Sequence, residues 1–140
     1  MASLFTQIID GKLPARFVWK DEHCCGFLTI HPLRPGHTLI VPRLEVDHWL
    51  DLDPPLASHL TLVAQSIGRA IDRVFHPAKV GLMIAGLEVP HTHLHVIPIR
   101  ALADLNPANQ DLNPDPADLD RAARDVRTAL RELGYSEASD

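Results

Sequence analysis

Leu56, Leu60, Val63, Ile67, Ala70, Ile71 and Val74 recur at steps of three and four residues, and no other feature constrains the fold as strongly. The spacing predicts one long amphipathic helix whose apolar stripe must lie on a core. Asp53 can cap its start, Pro54 and Pro55 suit a first turn, and Pro77 forces an end near Phe75 and His76. Gly68 inside it costs about 1 kcal/mol relative to alanine.

What the helix packs on is written on either side of it. Runs rich in β-formers fall at 16–20, 25–30 and 37–42 before the helix, the last ending at Pro42. Two more follow at 80–85 and 91–99, separated by a short stretch around Gly86 that suits an antiparallel pair. A short helix over 3–11, with Ser3 as cap and Gly11 as stop, opens the chain. A last helix begins at Asp115-Pro116, carries Leu119, Ala122, Val126, Ala129, Leu130 and Leu133 as its stripe, and stops at Gly134. Residues 101–116, with Asn106-Pro107 and Asn113-Pro114, read as an ordered or semi-ordered loop, and the final SEASD as a frayed tail. Strands in consecutive groups favour an α+β fold over a doubly wound one, here an antiparallel sheet of about five strands with helices packed on it.

Composition narrows the function classes. A length of 140 residues suits a single domain, and the 46% apolar and 22% charged content is that of a globular chain. No apolar run reaches the roughly 20 residues of a membrane span, and the polar residues within MASLFTQIIDGK argue against a signal peptide. A net charge of −5 argues against a nucleic-acid partner, though a local pocket can still hold a phosphate. Cys24 and Cys25 are neighbours and unsuited to a disulfide, which points to reduced thiols and a cytoplasmic location. Packing is the expected role of both; a reactive cysteine would need an exposed position and a base, for which His23 is weak evidence.

Three of the nine histidines fall within five residues, His91-Thr92-His93-Leu94-His95. In a strand they share one face while Thr92, Leu94 and Val96 take the other. A solvent-facing strand that happens to be rich in histidine is the plainest reading. A metal site is a second, but the outer two histidines stand about 13 Å apart along a strand and no accompanying ligand motif is present. Phosphoryl chemistry is the third. Neighbouring imidazoles disfavour one another's cationic forms, so at least one stays neutral near pH 7 and can attack phosphorus while its neighbours hold phosphoryl oxygens or assist the leaving group.

His91-Thr92-His93-Leu94-His95-Val96-Ile97, with Val89-Pro90 before it and Pro98 after it, resembles the histidine triad motif. Pro35-Gly36-His37-Thr38-Leu39-Ile40-Val41-Pro42 and Phe5-x-x-Ile8-Ile9-x-Gly11 resemble two further segments of that superfamily of nucleotide hydrolases and transferases. The resemblance spans about residues 3–100, is closest to the Hint-like bacterial branch, and leaves the loop and helix of 101–140 to the reading above. It implies a homodimer acting on a purine nucleotide or a nucleoside 5′-phosphoramidate, with no cofactor and no metal in the chemistry. His93 matches the nucleophile that becomes nucleotidylated, His91 and His95 its flanking partners, and His37 the supporting histidine.

Other positions depart from the family's pattern. Thr29, beside Ile30, stands where an acidic residue often grips the ribose, and Leu87 and Glu88 replace residues that commonly contact phosphate; these four are the expected substrate-binding positions. Some bacterial members hold a structural zinc through an N-terminal Cys-x-x-Cys, a spacing that carries Ser3 and Thr6 here, so no such zinc is expected and His48 is a surface or packing residue. Arg34 is a candidate phosphate contact. His23, His31, His59 and His76 have no motif, and Trp19 and Trp49 are expected in the core or an interface. A nucleotide-sensing module with little turnover and a histidine metal-binding protein remain as alternatives.

Overall fold

The computed structural model describes residues 2–140. Helix α1 (Leu4–Ile9) is followed by strands β1 (Phe17–Lys20), β2 (Cys24–Leu28) and β3 (Thr38–Pro42), then α2 (Pro54–Phe75), β4 (Lys79–Ile84), β5 (Leu94–Ile99) and α3 (Pro116–Glu132). The strands form one antiparallel sheet in the order β1-β2-β3-β5-β4. The α+β architecture follows the grouping of strands in the sequence, with boundaries shifted by one to three residues.

The two-residue period of the strands sorts side chains between two cores. Val18, Cys24, Leu28, Ile40, Leu94 and Val96 pack beneath α2 and α3, with Leu60, Val63, Ile67, Ala70 and Ile71 from α2 and Ala123, Val126 and Leu130 from α3. Cys25, Phe27, Leu39 and Val41 take the opposite face, against Phe5 and Ile8 of α1. The two thiols therefore lie on opposite faces of the sheet. Burial pushes both above their usual range, so neither is an activated nucleophile. A Cβ on Gly26 would lie 2.9 Å from Ile67 Cδ1, so glycine there is what lets α2 come this close to β2.

The loop of 101–116 is ordered, and the closing tail is more ordered than its composition predicts. Residues 102–105 and 107–109 form short 3₁₀ turns, and the amide of Asp111 bonds the Pro32 carbonyl at 2.8 Å. The final residues are not frayed. The Lys20 amide donates to the Glu137 carbonyl and the Ser139 amide to that of Val18, so the tail lies along β1. An edge strand offers unpaired amides and carbonyls, and these residues satisfy them.

Candidate active site

The site forms where β3 and β5 meet on the α1 side of the sheet. His95 stands on β5 opposite Leu39 of β3. His37 enters at the start of β3 from the turn of Gly36, whose φ of +96° is open to glycine. The Phe75 ring fills the space a Cβ would need there. The triad strand is shorter than predicted, because the ladder begins at Leu94 and residues 91–93 precede it. The reason is the loop after β3. Its Val46 carbonyl accepts both the amide (2.7 Å) and the hydroxyl (2.8 Å) of Thr92, drawing residues 91–93 off β3.

Hydrogen bonds assign the ring protons. The His91 carbonyl lies 2.8 Å from His93 Nδ1 and can only accept, so this nitrogen carries the proton and Nε2 has a free lone pair. The Leu33 amide donates to His37 Nδ1 at 3.0 Å, which puts the His37 proton on Nε2. That proton is donated to His95 Nδ1, 2.8 Å away, and leaves His95 with its proton on Nε2. A lone pair on His93 and a donor on His95 thus stand side by side, with ring centroids 4.9 Å apart.

His91 is different. It is fully buried, its Nε2–H donates to the Pro42 carbonyl at 2.8 Å, and its Nδ1 lies 2.7 Å from Ser3 Oγ. Neither ring nitrogen is free, and His91 meets His93 through its backbone carbonyl. Around Ser3 a second network closes. Glu45 accepts from the Ser3 amide at 2.7 Å and the Thr6 hydroxyl at 2.6 Å, and these bonds hold its carboxyl well below the usual carboxylate range. Two neutral hydroxyls already engaged with a carboxylate and an imidazole are a poor donor set for zinc. His48 lies exposed, its Nδ1 accepting the Leu50 amide at 3.3 Å.

The histidines open onto a cavity of about 530 Å³ whose walls include Phe5, Ile8, Phe27, Thr29, Ile30 and Glu88. Phe5 sets its ring edge to face with His93 at 4.9 Å. Of the four expected substrate-binding residues, Thr29, Ile30 and Glu88 line this space, whereas Leu87 points to solvent, 95% exposed. Arg34 is also placed elsewhere: it pairs with Asp104 at 3.5 Å and borders a separate cavity with Phe75 and Arg100. The walls also include Gln110, from the segment read as a loop. Trp19 is buried and Trp49 is exposed on a 3₁₀ turn.

The HIT domain family matches residues 10–102, more than half of the chain. The chain belongs to this family. An uncharacterized HIT-like protein of Borreliella burgdorferi is 35% identical over 102 residues, with 68% of this chain and 73% of the relative covered. A crystal structure of a zinc-bound histidine triad family protein from Mycobacterium smegmatis superposes with a TM-score of 0.81 at 31% identity, covering 98% of this chain and 99% of that one. An asymmetrical bis(5′-nucleosyl)-tetraphosphatase of Schizosaccharomyces pombe is 29% identical over 107 residues, 71% of this chain and 58% of its own length.

Burial and the neighbouring imidazoles push His37 of this HIT domain down to about 3 and His95 down to about 4, and burial lowers His93 as well. All three stay neutral at pH 7, as a nucleophile requires. The same shifts tie stability to pH. Below about pH 6.5 the unfolded chain takes up protons that folded His37 and His95 refuse. Stability is therefore expected to be complete above pH 6.5 and to fall toward pH 4. The slope should approach 1.4 kcal/mol per pH unit for each proton taken up, about two near pH 5. Guanidinium unfolding at pH 7, 6 and 5 measures it, and His37→Asn should remove one proton's share; an unchanged slope in that variant contradicts the assignment.

Proposed function

We propose that this chain is a nucleotide hydrolase and nucleotidyl transferase that cleaves nucleoside 5′-phosphoramidates or related mononucleotide derivatives through a nucleotidyl-His93 intermediate. One observation carries the reading: His93 lines the cavity, and the bond from its Nδ1–H to the His91 carbonyl leaves Nε2 with a free lone pair. Hydrolysis of a nucleotide derivative is also what the name of the S. pombe relative describes for that protein.

In the first step Nε2 attacks the α-phosphorus of a substrate protonated on its bridging nitrogen. A bond forms from phosphorus to His93, the phosphorus–nitrogen bond breaks with its electron pair going to nitrogen, and a neutral amine leaves. His95 Nε2–H donates to a phosphoryl oxygen or to the departing atom, where charge changes most. Water then attacks phosphorus, His93 leaves, and one proton is released with the nucleoside monophosphate. A base fits between Phe5, Ile8, Phe27 and Ile30, an apolar wall, while Thr29 offers the ribose a hydroxyl in place of a carboxylate.

Intact-protein mass spectrometry after brief mixing with an adenosine phosphoramidate, quenched without acid, tests the intermediate. A nucleotidyl adduct with consumption of the phosphoramidate supports it. Binding with neither adduct nor consumption returns the chain to a sensing module, for which the Glu88 carboxylate at the cavity wall is the one favourable feature.

The working form in this proposal is a homodimer, with the 140 residues acting as one unit in the cytoplasm. Support comes from the free edge of β4, where Leu82 is 51% exposed beside Leu62 of α2, 62% exposed. These residues flank an open cavity of about 580 Å³ with Gln65 and Arg69. Leu62→Glu with Leu82→Glu is expected to convert a dimer to a monomer in sedimentation equilibrium, and an unchanged mass would place the interface elsewhere. No helix of the described residues is long and apolar enough to cross a membrane.

A further inference from the structure

A cluster of metal-ligating side chains lies between the β1–β2 turn and α2 and shares no residue with the lining of the triad cavity. Asp21, Cys24 and His59 bring a carboxylate oxygen, a sulfur and an imidazole nitrogen within 4.8 Å of one another. His59 Nε2 lies 2.8 Å and Cys24 Sγ 3.4 Å from the same oxygen, Asp21 Oδ2. His23, exposed on the same turn, sets its ring 5.1 Å from that of His59. A cavity of about 480 Å³ lined by His23, His59, Asp53 and Leu44 reaches the group at His59.

We propose that Asp21, Cys24 and His59 form a zinc site, with His23 or water as the fourth ligand. Oxygen, sulfur and nitrogen donors in this number match tetrahedral zinc, whose ligand bonds run at about 2.0–2.3 Å. The carboxylate is already held as outer-shell bonds hold a ligand. Asp21 Oδ1 accepts the amides of His23 (2.7 Å) and Cys24 (2.8 Å), and Oδ2 accepts Trp19 Nε1–H (2.8 Å). The ion would take the place of the proton that Cys24 now shares with Asp21. Zinc bonds to sulfur, the thiol proton goes to solvent, and the His59 proton that Nε2 now donates to Asp21 Oδ2 moves to Nδ1, which frees the Nε2 lone pair for the ion. One carboxylate and one thiolate then balance the two charges of the ion, which a buried position demands. Oδ2 and Nε2 must separate by about half an ångström to reach tetrahedral spacing, a movement open to His59 because it is only partly buried. Arg43 borders the cluster, but it is exposed and its Nε–H donates to the Asp21 carbonyl at 2.8 Å. The site would tie the β1–β2 turn to α2 and so stabilise the fold by linkage.

Cobalt(II) titration of the metal-free chain tests this, because cobalt reports its ligands by absorption. The expected result is one ion per chain with a thiolate-to-cobalt charge-transfer band and the intense visible bands of four-coordinate cobalt, all bleached by zinc. Cys25→Ser should keep the charge-transfer band and Cys24→Ser should lose it. His59→Ala, at a partly buried position that leaves the core intact, should weaken cobalt binding by at least about tenfold. Cobalt bound without a charge-transfer band would report the triad imidazoles and overturn the proposal. So would a band that survives Cys24→Ser, binding unchanged by His59→Ala, or no uptake at all.

Discussion

Alanine in place of His93 is expected to lower turnover of a nucleoside 5′-phosphoramidate by at least about a thousandfold, a loss of roughly 4 kcal/mol of transition-state stabilisation. The size follows from the ring protons. His91 has no free nitrogen, His37 spends one nitrogen on the Leu33 amide and the other on His95, and His95 presents a donor. Of these four histidines only His93 has a free lone pair, so none of the other three replaces it as nucleophile. The adduct should vanish with the turnover while the fold persists, since the lost ring contacts are mainly the edge of Phe5 and the ring of His95. Steady-state rates, adduct mass and circular dichroism of the variant decide the matter together. A rate within tenfold of the parent sinks the assignment of His93.

His95→Ala is expected to cost about a hundredfold or more, the usual loss when a preorganised donor to a transition-state oxygen is removed. His37→Ala should cost less, because it acts on His95 and not on the substrate. Without His37 Nε2–H as partner, His95 can move its proton to Nδ1 and present a lone pair where a donor is needed. The double variant should therefore be little worse than His95→Ala alone. Rates for the two single variants and the double give the coupling; fully multiplicative losses would mean that the two rings act separately.

Much of this site can be read from the sequence, and the shortfall has physical causes. The alternation of His91, His93 and His95 places three imidazoles on neighbouring extended positions, and His37 follows from the segment around Gly36. Spacing along a chain says nothing about which nitrogen is engaged. The withdrawal of His91 depends on Ser3 and on Pro42, both far from it in sequence. Leu33 contributes only a backbone amide, which no residue type announces. The Ser3–Thr6–Glu45 network had half a signal, a hydroxyl pair at a recognisable spacing, but Glu45 in the loop after β3 had none. Leu87 points to solvent because one residue in a turn decides which way a side chain leaves, and the carboxylate of Asp104 holds Arg34. Gln110 lies in a segment without periodicity, held near the site by a bond to Pro32 that only the folded chain makes.

The closing residues of the chain bear on how copies can add to one another. Their bonds to Val18 and Lys20 cover β1, so among the described residues β4 is the only sheet border left open. A body with one adhesive border can join one other and then has nothing left to offer, so growth terminates at two. A body with two such borders could go on adding copies without limit. If β4 pairs two copies as proposed, trimming residues 136–140 would expose β1 as a second border and open the way from a finite assembly to a fibre.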